Sequence, residues 1–301
     1  MIMKVLLVGL GSAGNKHLNS LIKHKELEVS VYDKNKGTHK NQQSLEDVRD
    51  KEYDKVIIAT PVKDRASLIE QLEINNCDIL FEKPFAENLN SLKNLFTLLS
   101  KKNINLYPGL TYRFDPAINY IKMLIENNKL GKLYDFHVKF GSSAVLKNSV
   151  SKYQYKSKRS LFDDNIHFPD LFCYLTNDFG EKEVLSFSSL DKVSKSHNLD
   201  VSHSKIIFKS SENILGSFIY NFLEEQQDSF IEIIGNKGKI KYYTLSSKVQ
   251  LVTSKTLSKN FPKNRQHIFD NQMNEFLKGN ISNFASKDQL VSLQKFNDKF
   301  I

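Results

Sequence analysis

The sequence predicts an α/β protein in two parts: a doubly wound parallel sheet over residues 1–115, and over 116–301 an α+β domain with a mostly antiparallel sheet. Three features predict it. Short apolar runs alternate with amphipathic helical stretches up to about residue 115. Beyond that point, strand-like segments follow one another with few helices between them. The first strand also runs straight into Gly9-Leu10-Gly11-Ser12-Ala13-Gly14, a glycine turn that opens a helix.

In chain order, KVLLVG (4–9), VSVYD (29–33), KVIIAT (55–60), DILFEK (78–83) and INLYPG (104–109) have the continuous apolar, β-branched texture of parallel strands covered on both faces. Between them, 14–25 carries Leu18, Leu21 and Ile22, 64–75 carries Leu68, Ile69 and Leu72, and 90–102 carries Leu92, Leu95, Phe96 and Leu99, all at helical spacing. This alternation implies right-handed βαβ crossovers. After YRFDP (112–116) a helix at 116–128 leads into strands at 133–141, 183–190, 203–209, 214–222, 229–234, 238–243 and 248–253. One helical stretch, 163–176, interrupts them, and helices near 266–278 and 287–298 follow. No internal repeat, low-complexity tract or Pro/Gly linker separates the two parts.

A chain of 301 residues is long enough for two cores, and its 40% hydrophobic and 26% charged content is that of a globular protein. Two cysteines, Cys77 and Cys173, provide neither a disulfide framework nor a metal motif. The apolar N-terminus is too short to span a bilayer and reads directly into the first strand. A cytoplasmic protein with no membrane partner and no metal is expected. The formal charge of +9 comes from scattered lysines rather than a nucleic-acid-binding motif, so no nucleic-acid partner is expected.

The glycine turn points to a dinucleotide. Glycines let the backbone approach a pyrophosphate, whose charge meets the N-terminal end of the helix dipole. Gly9, Gly11, Ser12, Ala13 and Gly14 are the candidate phosphate-binding residues. Asp33, at the end of the second strand, is the candidate acceptor for the adenosine ribose hydroxyls. A carboxylate there accepts a free 2′-hydroxyl and repels a 2′-phosphate, which favours NAD. Lys34 and Lys36 leave NADP open. The fourth strand ends in Glu82-Lys83-Pro84, and ligands of open α/β sheets bind beyond the carboxyl ends of the strands. An ammonium at Lys83 could hydrogen-bond a substrate hydroxyl and stabilise the alkoxide that forms as hydride leaves.

The segments GLGSAGNKH (9–17), IIATP (57–61), FEKP (81–84), YRFDP (112–116), DDNIHFPD (163–170) and IEIIGNKGKI (231–240) occur in the order found in the Gfo/Idh/MocA family of NAD(P)-dependent oxidoreductases, which the chain resembles over most of its length. The resemblance implies a Rossmann domain followed by an α/β domain with an open, mostly antiparallel sheet, whose outer face would make a homo-oligomer. It further implies an active-site lysine at Lys83, cofactor contacts at Thr60, Pro61 and Glu82, and a catalytic histidine at His167. The partner aspartate is Asp163 or Asp164. Asn165 stands where many members carry glycine.

Tyr112 and Arg113 follow the fifth strand and face the cofactor or substrate rim, unless Arg113 pairs with Asp115. The acid-free stretch from Lys147 to Arg159, with Lys158 and Arg159 at its end, precedes the His167 helix and suits a phosphorylated or nucleotide-linked substrate, or is simply solvated. The expected protein is an NAD-dependent dehydrogenase or ketoreductase of a secondary hydroxyl on a sugar, cyclitol or sugar nucleotide. The alternative is a non-catalytic, dinucleotide-dependent sugar sensor of the same fold.

Overall fold

A computed structural model describes residues 2–35, 42–49, 51–143, 163, 165–190 and 203–300. It divides into two compact units, one of Met1–Phe114 with Asn264–Val291, the other of Asp115–Lys263 with Ser292–Ile301.

The first unit runs β1 (Met3–Val8), α1 (Ser12–Leu21), β2 (Leu27–Tyr32), β3 (Gln42–Gln43), α2 (Leu45–Val48), β4 (Lys55–Ile58), α3 (Arg65–Gln71), β5 (Asp78–Glu82), α4 (Leu89–Lys101) and β6 (Asn105–Gly109). All strand pairs are parallel, in the order β3-β2-β1-β4-β5-β6. This is the doubly wound arrangement, with its reversal of strand order between β1 and β4. The apolar strand runs explain it: Val5 to Val8 and Val56 to Ile58 are buried on both faces of the sheet. Helix α4 begins where the Asn88 side chain accepts from the Ser91 backbone N–H, and it buries Leu92, Leu95 and Leu99. The two-residue β3 is not foreshadowed in the sequence, because Gln42 and Gln43 have neither β-branching nor an apolar pattern.

The second unit contains α5 (Pro116–Glu126), β7 (Leu133–Gly141), α6 (His167–Thr176), β8 (Lys182–Leu190), β9 (His203–Ser210), β10 (Leu215–Asn221), β11 (Ser229–Gly235), β12 (Gly238–Tyr243), β13 (Lys248–Val252) and β14 (Thr256–Asn260). Its eight strands lie in the order β14-β13-β12-β11-β7-β10-β9-β8. Every pair is antiparallel except β7 with β10, so the sheet is mostly antiparallel. Helix α5 starts at an Asp115 cap, whose Oδ1 accepts from the Ala117 N–H at 2.8 Å, with Pro116 in the first turn. Strict alternation on β9 and β10 sends Ile206, Phe208, Phe218 and Tyr220 to one face. Against that face α6 packs Phe168 and Phe172, with ring centroids 6.1 Å from Tyr220 and 5.0 Å from Phe208.

The chain then adds α7 (Arg265–Leu277) and α8 (Lys287–Asn297). Residues 264–291 follow the second sheet in the chain but group with the first compact unit. The reason is apolar burial. Met273, Phe276, Leu277 and Phe284 join Leu18, Leu21, Ile57, Leu80 and Tyr107 in one core, and each such fully buried side chain contributes roughly 1.5–3 kcal/mol. Among the described residues, no helix is long and apolar enough to cross a membrane.

Candidate active site

The glycine turn sits where the strand order reverses. Its three glycines are needed for different reasons. Gly9 has φ +94°, and a Cβ there would meet the Ala59 carbonyl oxygen at 2.8 Å. A Cβ on Gly14 would lie 1.9 Å from the Gly9 carbonyl oxygen, so only glycine lets α1 leave the strand this closely. Gly11 differs: its φ is −68° and a Cβ would meet nothing within 4 Å. The protein itself has no use for glycine there. The missing side chain leaves the backbone open to a group lying against the turn, as a pyrophosphate does at the exposed N-terminus of α1. Ser12 and Ala13 form the first turn of that helix, and Asn15 Nδ2 donates to the Leu10 and Gly11 carbonyls at 2.6 and 3.0 Å, bracing the loop. The residues therefore fit a bound dinucleotide.

Helix α7 supports α1 from behind. Asp270 accepts from Ser20 Oγ at 2.8 Å and Lys23 Nζ at 2.5 Å, Gln266 Nε2 donates to the Lys16 carbonyl at 2.9 Å, and Phe269 meets His17 edge-on with ring centroids 5.0 Å apart.

Asp33 ends β2 beside the turn. Its Oδ2 accepts from the Leu10 N–H at 2.6 Å and its Oδ1 from Asn35 N at 2.8 Å, which orients the carboxylate. Lys34 is exposed, and Lys36 lies outside the described residues. Asp33→Ser should lower the ratio of NADP to NAD dissociation constants by on the order of tenfold, because the charge that repels a 2′-phosphate is gone. Titration of both cofactors into both proteins measures it, and an unchanged ratio makes Asp33 a loop brace only.

At the ends of β4 and β5, Thr60 is half-buried with its Oγ1 enclosed and unpartnered, and Pro61 is exposed. Lys83 is half-buried and its peptide bond to Pro84 is cis. Glu82 is buried, and its Oε1 lies 2.6 Å from Nε2 of the fully enclosed His17. Burial by itself would raise the Glu82 pKa. The hydrogen bond from His17, with the charges of His17, Lys83 and Arg65, outweighs it and holds the carboxyl below its ordinary value. Glu82 thus faces into the protein, toward α1. Gly109 on the neighbouring strand leaves room for it, since a Cβ there would come within 3.3 Å of Glu82 Cδ. Arg65, the first residue of α3, is also buried. Its Nε and Nη2 donate to the Thr60 carbonyl at 3.0 and 2.8 Å, and its Nη1 donates to the Pro84 carbonyl. Burial pulls its pKa down to about 10, against the opposing effect of Glu82. Neither His17 nor Arg65 is singled out by the sequence reading. The available signals were a histidine on the apolar face of α1 and a cation in the first turn of a helix, where the dipole disfavours it.

Tyr112 and Arg113 lie in a short 3-10 turn after β6. Arg113 is buried and donates to Gln289 Oε1 at 3.1 Å. The Asp115 carboxylate takes the Ala117 N–H and the Tyr242 hydroxyl. In the second unit, His167 opens α6 and is 7% exposed, with Nδ1 wholly enclosed. Asp170 is buried one turn on, and Asp163 is half-buried. Asp164, Lys158 and Arg159, with the rest of the basic stretch from Lys147, lie outside the described residues. Among the described residues, no three His, Cys, Asp or Glu side chains are grouped to hold a metal ion.

A glycine turn at the switch point of a doubly wound parallel sheet, with a carboxylate at the end of β2, defines a dinucleotide-binding protein. The chain belongs to the Gfo/Idh/MocA oxidoreductase family: residues 3–110 match its NAD-binding Rossmann fold and residues 122–298 its C-terminal alpha/beta domain. It is 24% identical over 262 residues to glucose-6-phosphate 3-dehydrogenase of Bacillus subtilis (strain 168), covering 80% of this chain and 74% of that one. A dehydrogenase structure from Clostridium difficile superposes with a TM-score of 0.81 at 19% identity, over 99% of this chain and 98% of that one. UDP-N-acetylglucosamine 3-dehydrogenase from Acidithiobacillus ferrooxidans gives 0.78 at 14% identity, over 100% and 97%. These two structures share the fold. The protein is an oxidoreductase with an NAD-binding Rossmann domain.

Proposed function

We propose that this protein is an NAD-dependent dehydrogenase acting on a secondary ring hydroxyl of a phosphorylated sugar or sugar nucleotide. The observation that carries the reading is the placement of Lys83 at the carboxyl end of β5, in the same sheet edge as the glycine turn, between Glu82, whose carboxylate is held by His17, and Pro84, whose carbonyl is held by Arg65. Two relatives named above are 3-dehydrogenases of a hexose phosphate and of a nucleotide sugar, which supports the substrate class.

Bound NAD would accept the hydride that leaves the substrate carbon. The Lys83 ammonium would donate a hydrogen bond to the reacting oxygen and stabilise the negative charge that grows on it. His167 would take the hydroxyl proton as the ketone forms, through Nε2 because its Nδ1 is enclosed. Asp163 or Asp164 would orient that ring. In the reverse direction His167 returns the proton. Tyr112 would contact the substrate rim, with Arg113, buried against Gln289, bracing the turn that carries it, and Lys158 and Arg159 would bind the phosphate.

The test is turnover with NAD+ and a panel of glucose 6-phosphate, UDP-N-acetylglucosamine and myo-inositol. We expect the first or second to be oxidised, and His167→Asn to lower kcat on the order of a hundredfold with NAD affinity within about threefold. Normal turnover by His167→Asn removes that residue from the mechanism. Tight NAD binding with none of the panel oxidised favours a dinucleotide-dependent sensor instead.

A further inference from the structure

We infer that Arg65 is a positioning residue for Lys83, a planar clamp that sets the distance between the end of β4 and the end of β5. The inference rests on reading Lys83 as the group that polarises the reacting oxygen. Arg65 is 3% exposed, and three of its N–H groups reach two backbone carbonyls: Thr60, two residues past β4, and Pro84, the residue after Lys83. A guanidinium presents its donors in a fixed fork, so two acceptors held by one fork are held relative to each other. Its third restraint is the ring of Phe81, 5.6 Å from the guanidinium carbon and two residues before Lys83.

The location makes a merely space-filling role unattractive. A buried cation is costly unless its donors are satisfied, and this one stands in the first turn of α3, where the helix dipole opposes it. An apolar residue would fill the volume more cheaply but could not bind the two carbonyls. On the other side of Lys83, Glu82 is fixed by His17. Lys83 thus stands between a residue held through its carboxylate and a residue held through its backbone carbonyl. Positioning of this kind acts on the chemical step, because a displaced catalytic group loses rate without loosening ground-state binding.

The experiment uses the full chain as wild type, Arg65→Met, Arg65→Lys, Arg65→Gln, Lys83→Met and the Arg65→Met/Lys83→Met double variant. Turnover is read with NAD+ and UDP-N-acetylglucosamine or glucose 6-phosphate. Without any substrate, acetylation of the Lys83 amine by an N-hydroxysuccinimide ester is read by peptide mass spectrometry relative to Lys4 in the same molecule. Arg65→Met should lower kcat by about tenfold or more while KM and NAD affinity stay within about threefold, and should raise the relative labelling of Lys83 by at least about threefold. Arg65→Lys should recover part of both effects, and Arg65→Gln carries the comparison if the Met variant does not fold. The double variant should be no slower than Lys83→Met alone, since a clamp acts only through what it holds. Unchanged labelling of Lys83 in folded Arg65→Met, or losses that multiply in the double variant, overturns the inference. Normal turnover by Lys83→Met would instead overturn the reading of Lys83 itself.

Discussion

Replacing Gly11 with valine leaves a folded protein that has lost NAD affinity by on the order of a hundredfold or more. The expectation follows from the difference between the glycines of the turn. At Gly11 the backbone is in an ordinary extended conformation, and an added Cβ touches no atom of the protein. The Cβ of valine therefore meets no internal clash, and its lower preference than glycine at a helix N-cap costs on the order of 1 kcal/mol, which leaves the protein folded. What it occupies is the space in front of the turn, where a pyrophosphate would meet the first N–H groups of α1. Gly14 behaves oppositely. A Cβ 1.9 Å from the Gly9 carbonyl oxygen must push α1 off β1, so Gly14→Ala should lower the melting temperature as well as cofactor affinity. Thermal melts and NAD titration of the two variants separate the cases. Wild-type affinity in folded Gly11→Val would remove the dinucleotide from this turn.

Lys83→Met is the second large effect. Methionine keeps most of the side-chain volume and removes the ammonium, so cofactor binding should stay within about threefold while kcat falls by on the order of a hundredfold or more. KM should change less than kcat, because the lost interaction strengthens as charge grows on the oxygen and is weak in the ground state. The surrounding structure supports a local reading of such a loss. Glu82 and Pro84 are held by His17 and Arg65, groups that do not depend on the Lys83 side chain for their own hydrogen bonds. A variant that loses turnover together with NAD affinity would indicate that this edge had rearranged.

The parallel sheet is legible because parallel strands buried on both faces must be continuous apolar runs, and KVLLVG, KVIIAT and DILFEK are such runs. The glycine turn was readable because backbone conformation and close approach admit only one residue type at Gly9 and Gly14. Elements without an apolar signature were not: β3 is two glutamines, and all five residues of β14 are exposed. The placement of α7 was hidden for another reason. Its Phe269, Met273 and Phe276 announce a buried face but not which core receives it, a choice made by Tyr107 and Leu21 more than a hundred residues earlier. Arg65 and His17 are legible in the sequence only as a cation in the first turn of a helix and a histidine on an apolar helix face. Their significance lies in partners, the carbonyls of Thr60 and Pro84 and the carboxylate of Glu82, that no local pattern announces.

The role of Lys83 in hydride transfer is tested most directly by the absorbance at 340 nm when NAD+-saturated protein is mixed with glucose 6-phosphate or UDP-N-acetylglucosamine, for wild type and Lys83→Met side by side. The prediction is NADH formed by the wild-type protein with at least one of the two, and formed on the order of a hundredfold more slowly by a Lys83→Met variant that binds NAD equally well. Equal rates in the two proteins, or no NADH from a wild-type protein that binds NAD tightly, would contradict it.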